Sequence, residues 1–344
     1  EPARPAAEHH AGEVVVGEHE RLLERAGRRD VAAGADLVQR VVLPHRHEPV
    51  EEAERGGAGE DLDAGGAGLG GKLYVVAGKT ATAYRSAVEV YDPATNSWSS
   101  AAPLPGPAVE NPAVVAHNGR LYAFGGSTDA FSGAVQNSAV FDPDTGQWTP
   151  RAPMPTARGG AAAQVVGGKI YVVGGMNANG ASVETVEIYD PVTNTWTAGP
   201  SMSTRRDNPG AAEVNGLLYV FGGRTRNADG TTLNGTLTSV EMLDPATGQW
   251  TPRAPMPTGR RTMVVGRLNG RGQLMGGEVR ADGGSFFQNE EYNPATDTWR
   301  TLKPMLTGRH GAAGGTVNGV VYAVGGGSTG GSSFTSLNEA FSLP

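Results

Sequence analysis

Short apolar runs that end in a pair of glycines recur along the chain from residue 70 onward. The pairs stand at residues 125–126, 174–175, 222–223, 276–277 and 325–326, and Ala77–Gly78 is a degenerate first copy. A run such as KIYVV before Gly174 is short and rich in β-branched and aromatic residues, which is typical of a buried strand. Recurrence at about 50 residues indicates a repeat architecture.

Two kinds of turn signal punctuate each repeat. The first stands six residues before each glycine pair and favours a tight type I′ turn; it occurs at Asn118–Gly119, Gly167–Gly168, Asn215–Gly216, Asn269–Gly270 and Asn318–Gly319. The second is a phrase in which Asp or Asn and Pro preset a turn and a Trp opens the next strand. Its copies are YDPATNSW, FDPDTGQW, YDPVTNTW, LDPATGQW and YNPATDTW, which end at Trp98, Trp148, Trp196, Trp250 and Trp299.

Each repeat therefore predicts four short antiparallel strands, with tight turns after the first and third strands and a variable loop after the second. Six such units predict an all-β fold, a closed six-bladed propeller of four-stranded antiparallel blades. We expect the Trp side chains to be buried between blades. We also expect no helix longer than about three turns within residues 71–344.

The glycine pair, the Tyr or Phe before the Asp, and the Trp together resemble the repeat of the Kelch family, as found in bacterial Kelch-repeat proteins. The resemblance covers residues 71–344 and implies a Kelch-type β-propeller. Three places depart from it: Gln273 replaces a repeated Tyr, residues 62–69 read LDAGGAGL where a first strand belongs, and no Trp strand follows Phe341. A Kelch ring closes by pairing strands from both chain ends within one blade, so the closing strand is left unassigned.

We predict two segments. The Kelch β-propeller spans residues 71–344, with blades at about 71–101, 105–149, 154–197, 203–251, 257–300 and 306–344. Residues 1–70 form an atypical low-complexity segment of only ten residue types, those whose codons can begin with G or C. We interpret it as an out-of-frame or antisense translation that is not part of the native fold; the alternative is a genuine Ala/Gly/Glu/Arg-rich tail. We expect residues 1–60 to contribute at most one poorly formed strand.

Composition narrows the function classes. The chain has no Cys, which excludes a disulfide scaffold and a thiolate metal site. The net charge of −7 lies entirely in residues 1–70, whereas residues 71–344 hold 20 basic and 20 acidic residues. A neutral domain has no overall field for nucleic acid, and the sequence has no run of 18 apolar residues that would predict membrane insertion.

The variable loops predict which end of the propeller binds, because loops on a rigid scaffold carry recognition. At that end an Arg recurs 17 residues before the second Gly of a pair, at Arg158, Arg206, Arg260 and Arg309, with Arg205, Arg261 and His310 beside them. We interpret these seven residues as a partial ring of ligand-binding groups at the mouth of the axial channel, suited to carboxylates or other anions. The Kelch resemblance implies the same, because eukaryotic Kelch adaptors bind acidic peptides with arginines at this place. The alternative is that the repeat arginines bond loop carbonyls and serve the fold.

We predict a non-catalytic interaction protein that recognises an anionic or peptide ligand through the loop face around the central channel. One alternative is a carbohydrate-binding or cell-surface adhesion propeller with exposed loop aromatics such as Phe131, Phe286, Phe287 and Phe334. Another is an enzyme similar to the sialic-acid mutarotases, which would show an Asp or Glu of shifted pKa beside the arginines. Copper-radical oxidases also carry Kelch repeats, but their site requires a Cys that this chain lacks.

The remaining expectations follow from the same patterns. No metal-ligand cluster or phosphate loop stands in the sequence, so we predict no metal and no cofactor. Expected partners are a protein, a peptide or an anionic glycan, with no nucleic acid and no membrane insertion, bound by a monomer. An extracellular or periplasmic location is compatible with the composition, although residues 1–70 contain no apolar signal-peptide core.

Overall fold

The computed structural model describes residues 40–43, 62–130, 132–229, 231–278, 284–329 and 333–343 of the 344-residue chain. Every regular element in those ranges is a β-strand, and no helix occurs in them. The strands form six four-stranded antiparallel sheets and two small two-stranded ones. The predicted all-β, six-bladed propeller of four-stranded antiparallel blades is confirmed.

The first five blades run from the innermost to the outermost strand in chain order. The first blade contains β2 (Gly65–Leu69), β3 (Lys72–Lys79), β4 (Tyr84–Asp92) and β5 (Ser97–Ala101). The second contains β6 (Ala113–His117), β7 (Arg120–Phe124), β8 (Ser138–Asp142) and β9 (Gln147–Pro150). The third contains β11 (Ala162–Val166), β12 (Lys169–Val173), β14 (Val186–Asp190) and β15 (Thr195–Ala198), with β10 (Arg158–Gly159) and β13 (Met176–Asn177) paired beside it.

The other three blades repeat the arrangement. The fourth contains β16 (Gly210–Val214), β17 (Leu217–Phe221), β20 (Val240–Asp244) and β21 (Gln249–Arg253), with a loop hairpin of β18 (Arg224–Arg226) and β19 (Thr232–Thr236). The fifth contains β22 (Val264–Leu268), β23 (Arg271–Met275), β24 (Asn289–Asn293) and β25 (Thr298–Thr301). The sixth contains β26 (Ala313–Val317), β27 (Val320–Val324) and β28 (Asn338–Ser342), and its outer strand is β1 (Arg40–Leu43).

The turn phrase before each Trp has two forms that the structure explains. In three repeats the Tyr hydroxyl donates to the side chain of the left-handed turn residue, with Oη–Oδ1 distances of 2.5–2.9 Å; the pairs are Tyr91–Asn96, Tyr189–Asn194 and Tyr292–Asp297. The other two repeats have Gly146 and Gly248 at the turn position, and there Phe141 and Leu243 replace the Tyr. The hydroxyl is therefore present only where the turn residue offers an acceptor.

Alkaline titration should report on these buried phenols. Burial is the main cause that raises the pKa of Tyr91 and of Tyr189 to about 12, from 10.0. Because the folded state holds the phenol proton more tightly, this stabilisation is present below pH 10 and is lost as the pH rises toward 12. We expect urea unfolding midpoints to fall over that interval, and to fall less steeply for Tyr189→Phe. Equal slopes for the two proteins would contradict the assignment.

The tryptophans tie each blade to the one before it. The indole N–H groups of Trp148, Trp196, Trp250 and Trp299 donate to linker carbonyls at 2.8–2.9 Å, and the acceptors are Ala102, Ala152, Pro200 and Ala254. All five Trp side chains are half-buried, not buried as expected, because each opens an outer strand. In the sixth blade, Arg40 takes the position of the Trp, since it is the register partner of Phe341. The equivalent linker carbonyl there belongs to Lys303, and it accepts from the side-chain amide of Asn289 at 3.1 Å.

Residues 62–69 close the ring from the first blade. β2 pairs with β3 along five residues and packs beside β26 of the sixth blade. A Cβ atom on Gly68 would lie 2.1 Å from the Thr316 carbonyl oxygen, and one on Gly66 would lie 2.4 Å from the Gly314 nitrogen. The LDAGGAGL segment is thus a small-residue strand that lets two blades approach closely. The first blade therefore begins before residue 71.

The sixth blade is completed from the atypical segment. β1 pairs antiparallel with β28 over four residues, from Arg40 opposite Phe341 to Leu43 opposite Asn338. This pairing counts against the out-of-frame interpretation for residues 40–43. Residues 1–39 and 44–61 lie outside the described residues, so the extent of the atypical segment stays a prediction.

The departure at Gln273 also has a local reason. This side chain is fully buried, and its amide donates to Asn289 at 2.6 Å. A buried amide pair on adjacent strands thus stands where the repeated Tyr of four other blades makes an aromatic contact.

Candidate functional site

The four repeat arginines lie inside their own blades. Arg158, Arg206, Arg260 and Arg309 are each 0–1 % exposed. Each guanidinium lies 2.6–3.4 Å from a buried carboxylate on the third strand of the same blade; the pairs are Arg158–Glu187, Arg206–Glu241, Arg260–Glu290 and Arg309–Glu339. The expected ring of solvent-facing guanidinium groups is therefore not what the structure has. The burial favours the structural alternative for these four residues.

The reason for the burial is the geometry after the glycine pair, where the second and third strands separate. Arg206 donates to the carbonyls of Gly222 at 2.8 Å and Ser239 at 3.1 Å at the point where the two strands begin to separate, and the Ser239 carbonyl also accepts from the Gly222 N–H at 3.1 Å. Arg158 and Arg309 make the matching bonds in their blades. Burial lowers the pKa of Arg260 to about 10, against the attraction of Glu290.

The second blade lacks both members of this ion pair. Val109 stands at the arginine position, and Ala139 stands where the other described third strands carry a glutamate. Joint absence is what a structural pair requires, because a buried charge without its partner is costly. The first blade does not follow this rule, because it has Asp61 at the arginine position and keeps Glu89, so the second blade alone carried this signal in the sequence.

Two positions of each blade are bridged at the loop end. One is the residue after the arginine position and the other is the residue after the glycine pair, and the two form a backbone bridge. We call them the mouth positions; they are Leu62 and Lys79, Glu110 and Ser127, Gly159 and Met176, Asp207 and Arg224, Arg261 and Glu278, and His310 and Gly327.

The next residue of every blade forms a closed hydrogen-bonded neck. Asp63, Asn111, Gly160, Asn208, Thr262 and Gly311 all have positive φ, between 49° and 64°. Each backbone N–H donates to the carbonyl of the preceding member at 2.6–3.2 Å, and Asp63 closes the circle by donating to Gly311. The neck therefore locks the six blades at a common depth. Below it the innermost strands line a channel cavity of about 170 Å³.

Above the neck lies a cavity of about 290 Å³ whose wall is strongly charged. Its basic residues are Lys79, Arg224, Arg261 and His310, and its acidic ones are Asp63, Glu110 and Glu278. Arg224 pairs with Asp207 at 3.0 Å, Arg261 with Glu278 at 2.5 Å and Lys79 with Glu110 at 2.5 Å. The side chains of the three cations are 16–18 % exposed and those of the three acids 1–9 %, so the cation is the more exposed member of each pair. Lys79 also lies 3.4 Å from Asp63, whose side chain is 13 % exposed.

Burial shapes the ionisation of this wall. Burial alone would lower the pKa of Lys79, but Asp63 and Glu110 outweigh it and raise that pKa. Burial, and then the charge of Asp63, raises the pKa of Glu110 above its ordinary value. Burial lowers the pKa of Arg261, although Glu278 opposes the shift. Lys79 stays charged at neutral pH, so the cavity retains a fixed cation at the first blade.

Two of the seven predicted residues, Arg261 and His310, line this cavity. Arg205 is half-buried outside the lining and donates to Asn227 at 2.6 Å. Sequence reasoning missed Lys79, Arg224 and Glu278, which share the position directly after the glycine pair. That constant offset was the available signal. The assignment of the seven residues to ligand binding stays a prediction.

A Ser–His–Glu arrangement borders the cavity without forming a nucleophile. His310 Nδ1 lies 2.8 Å from Ser285 Oγ, and His310 Nε2 lies 3.9 Å from Glu278. Ser285 is 1 % exposed, and its hydroxyl donates to the Gly327 carbonyl at 2.9 Å. A hydroxyl held in this way positions the imidazole and does not present an attacking oxygen.

Within the described residues, no cluster of three or more His, Asp or Glu side chains could hold a metal ion. The same part of the chain has no helix long and apolar enough to span a membrane. Of the loop aromatics named above, Phe287 is exposed, Phe286 and Phe334 are half-buried, and Phe131 lies outside the described residues.

Comparison with known proteins gives partial relatives. Over 120 residues the chain is 36 % identical to Kelch-like protein 25 of Xenopus tropicalis, which covers 32 % of this chain and 20 % of that protein. Over 124 residues it is 33 % identical to N-acetylneuraminate epimerase of Pasteurella multocida (strain Pm70), which covers 34 % of this chain and 32 % of that protein. The chain thus spans a third or less of the length of either relative.

A solved structure shares the whole fold. The structure of YjhT superposes with a TM-score of 0.70 over 83 % of this chain and 97 % of that one, at 16 % sequence identity. The family model for the KLHDC2/KLHL20/DRC7 Kelch-repeats domain matches residues 66–251, more than half of the chain. The glycine pairs, turn phrases and Trp bonds described above supply the physical basis of that match, and the chain belongs to the Kelch-repeat domain family.

Proposed function

We propose that this protein is a non-catalytic binding protein that takes up an anionic group of a peptide or other ligand in the cavity above the neck. A Kelch propeller supports a binding role at the coarse level, and proteins are common partners of such domains. The single observation that carries the finer proposal is the arrangement of the wall. Three cations line the cavity, and the side chain of each is more exposed than that of the carboxylate with which it pairs.

This arrangement suits an anion for an electrostatic reason. A carboxylate that enters the cavity can accept hydrogen bonds from Arg224, Arg261 and Lys79, which all line it, and charge-assisted hydrogen bonds to such donors are strong. The acids hold the cations in position and balance their charge while the site is empty. The repeat arginines support the same site indirectly, because each fixes the backbone beside a mouth position.

Removing one cavity cation should weaken binding specifically. We expect Arg261→Gln or Arg224→Gln to lower affinity for an anionic ligand by about tenfold or more, since a hydrogen bond to a charged group contributes about 1.5–3 kcal/mol. The ligand comes from peptide and glycan arrays probed with the wild-type chain, and affinities are then measured by calorimetry.

Arg120→Gln is the matched control, because Arg120 forms an exposed ion pair with Asp142 at the tight-turn end. It should leave affinity unchanged. Equal affinity of the wild-type protein and both cavity variants would contradict an anion site at the mouth.

An enzyme of the sialic-acid type is the second candidate. Two observations favour it: the partial relative is named N-acetylneuraminate epimerase, and the buried Glu110, whose pKa is raised, lies beside the Lys79 cation. A carboxyl of raised pKa next to an anion-binding cation could exchange a proton with a bound acidic sugar. The test is NMR exchange spectroscopy on N-acetylneuraminate with the wild-type protein and Glu110→Gln. Accelerated exchange that Glu110→Gln abolishes would establish catalysis in place of simple binding.

A further inference from the structure

We propose that the loop face carries an apolar docking surface between the fifth and sixth blades, formed by Phe287, Leu306 and Leu337, for a peptide segment with a large apolar side chain. This inference rests on the proposed function and narrows the ligand to a peptide or protein loop. We call the three residues the rim patch. They are 40 %, 58 % and 38 % exposed, respectively.

The other blades show that the fold does not need apolar residues at these positions. At the position of Phe287, three residues before the glutamate position of the third strand, the chain has Ser86, Gln136, Glu184, Thr238 and Ser336. At the position of Leu337, two residues before that glutamate position, it has Ala87, Asn137, Thr185, Ser239 and Gln288. At the position of Leu306 it has Pro105, Pro155, Ser203 and Pro257. Among the blade junctions whose linkers the structure describes, the one between the fifth and sixth blades alone combines three large apolar side chains.

Hydrogen bonds show that the three residues belong to one surface. The Met305 N–H donates to the Phe287 carbonyl at 2.9 Å, which places Leu306 directly beside that loop. The Leu306 N–H donates to Glu339 at 3.0 Å, two residues beyond Leu337. Arg309 donates to the Leu337 carbonyl at 2.6 Å, and its own N–H donates to the Phe286 carbonyl at 3.3 Å. One bonded network therefore fixes the patch on the loop side of both blades.

Arg309 and His310 connect the patch to the cavity. His310 directly follows Arg309, the residue whose guanidinium anchors Leu337, and its side chain lines the cavity beside Arg261 and Glu278. A ligand that places an anionic group in the cavity can therefore extend over Leu306 and Phe287. Exposed apolar clusters beside a polar site are typical of protein interfaces, where an apolar centre is surrounded by polar groups.

The chemistry of the patch favours a peptide over a sugar. Two of its three members are leucines, whose branched side chains pack well against other apolar side chains. They offer neither the flat ring nor the hydrogen-bonding groups that would orient a polyhydroxylated ligand. The occupant to which we commit is an extended peptide or loop with one large apolar residue near an acidic residue.

The test is selection of a phage-displayed random dodecapeptide library on the wild-type protein, followed by calorimetry with the enriched synthetic peptides. The patch variant combines Phe287→Thr, Leu306→Ser and Leu337→Ser. Each new residue is the one that the fourth blade has at the equivalent position, namely Thr238, Ser203 and Ser239. The Leu306→Ser change keeps the hydrogen bond from the backbone N–H of residue 306 to Glu339, just as the Ser203 N–H donates to Glu241. We expect the patch variant to melt within about 2 °C of the wild-type protein.

We expect the enriched peptides to carry an apolar and an acidic residue and to lose about thirtyfold in affinity for the patch variant. Val192→Ala, which shortens an 89 % exposed side chain at the tight-turn end, should cause no loss. Peptides that bind the patch variant as well as wild type but lose affinity for Arg261→Gln would overturn the rim patch and leave the proposed cavity intact. A selection that enriches no peptide would overturn both the rim patch and the peptide form of the proposed function.

Discussion

Arg206→Ala is expected to lower the free energy of unfolding by about 3–5 kcal/mol, because it leaves the Glu241 carboxylate buried without its counter-ion. The guanidinium is fully buried, lies 2.6 Å from that carboxylate and also donates to the carbonyls of Gly222 and Ser239. Removing it takes one donor from each of the two carbonyls and leaves Glu241 Oε1 without its cation, while Glu241 Oε2 keeps the bonds from the Ser203 N–H and hydroxyl. Urea denaturation followed by Trp fluorescence measures the loss.

The second blade supplies the control for this experiment. It carries Val109 and Ala139 at the two positions, so the double variant Arg206→Val with Glu241→Ala copies a pair that this fold already uses. Because no buried charge remains, the double variant should lose less stability than Arg206→Ala alone. A ligand-binding role would show the opposite pattern, in which Arg206→Ala abolishes binding and leaves the unfolding midpoint near that of the wild-type protein.

Gly68→Ala is expected to destabilise the protein by about 3 kcal/mol, since overpacking against backbone cannot be relieved by a side-chain rotation. The added Cβ would lie 2.1 Å from the Thr316 carbonyl oxygen, so the first and sixth blades would have to move apart. That movement would also strain the bond from the Asp63 N–H to Gly311, which closes the neck. Thermal unfolding detected by calorimetry measures the effect.

Gly272→Ala is the matched control, because Gly272 is a buried strand glycine whose added Cβ would meet nothing closer than 3.4 Å. It should change stability by less than about 1 kcal/mol. If Gly68→Ala were as stable as Gly272→Ala, residues 65–69 would not form the innermost strand of the first blade. The comparison therefore tests directly whether part of the atypical N-terminal segment belongs to the propeller.

These two experiments concern the same feature of the molecule, the rigid mouth on which the candidate site depends. The buried arginines fix the backbone where the second and third strands separate, and the neck joins the blades below. Side chains at the mouth positions can then vary without cost to the fold, as the change from Gly159 to Asp207 to Arg261 shows. The proposed site therefore uses positions that the fold does not need.

Local patterns in the sequence determined the fold. Tight-turn pairs, glycine pairs and Trp phrases act over a few residues, and their repetition allows few architectures other than a propeller. The turn phrase also follows a local hydrogen-bond rule that the sequence displays. Tyr occurs where the turn residue is Asn or Asp, and Phe or Leu occurs where it is Gly.

Tertiary structure alone decided where the charges lie. Arg260 and Arg261 are adjacent in the sequence, yet the first is fully buried against Glu290 and the second lines the cavity against Glu278. Alternation along a strand turns consecutive side chains to opposite sides, and only the packed blades determine which side is solvent and which is protein. Tertiary structure also decided the role of Gly66 and Gly68. They stand in a segment of apparent low complexity, yet each must be small because its strand closely approaches a strand some 250 residues away in the chain. Contacts between distant segments depend on the closed ring, so no local pattern in the sequence could reveal them.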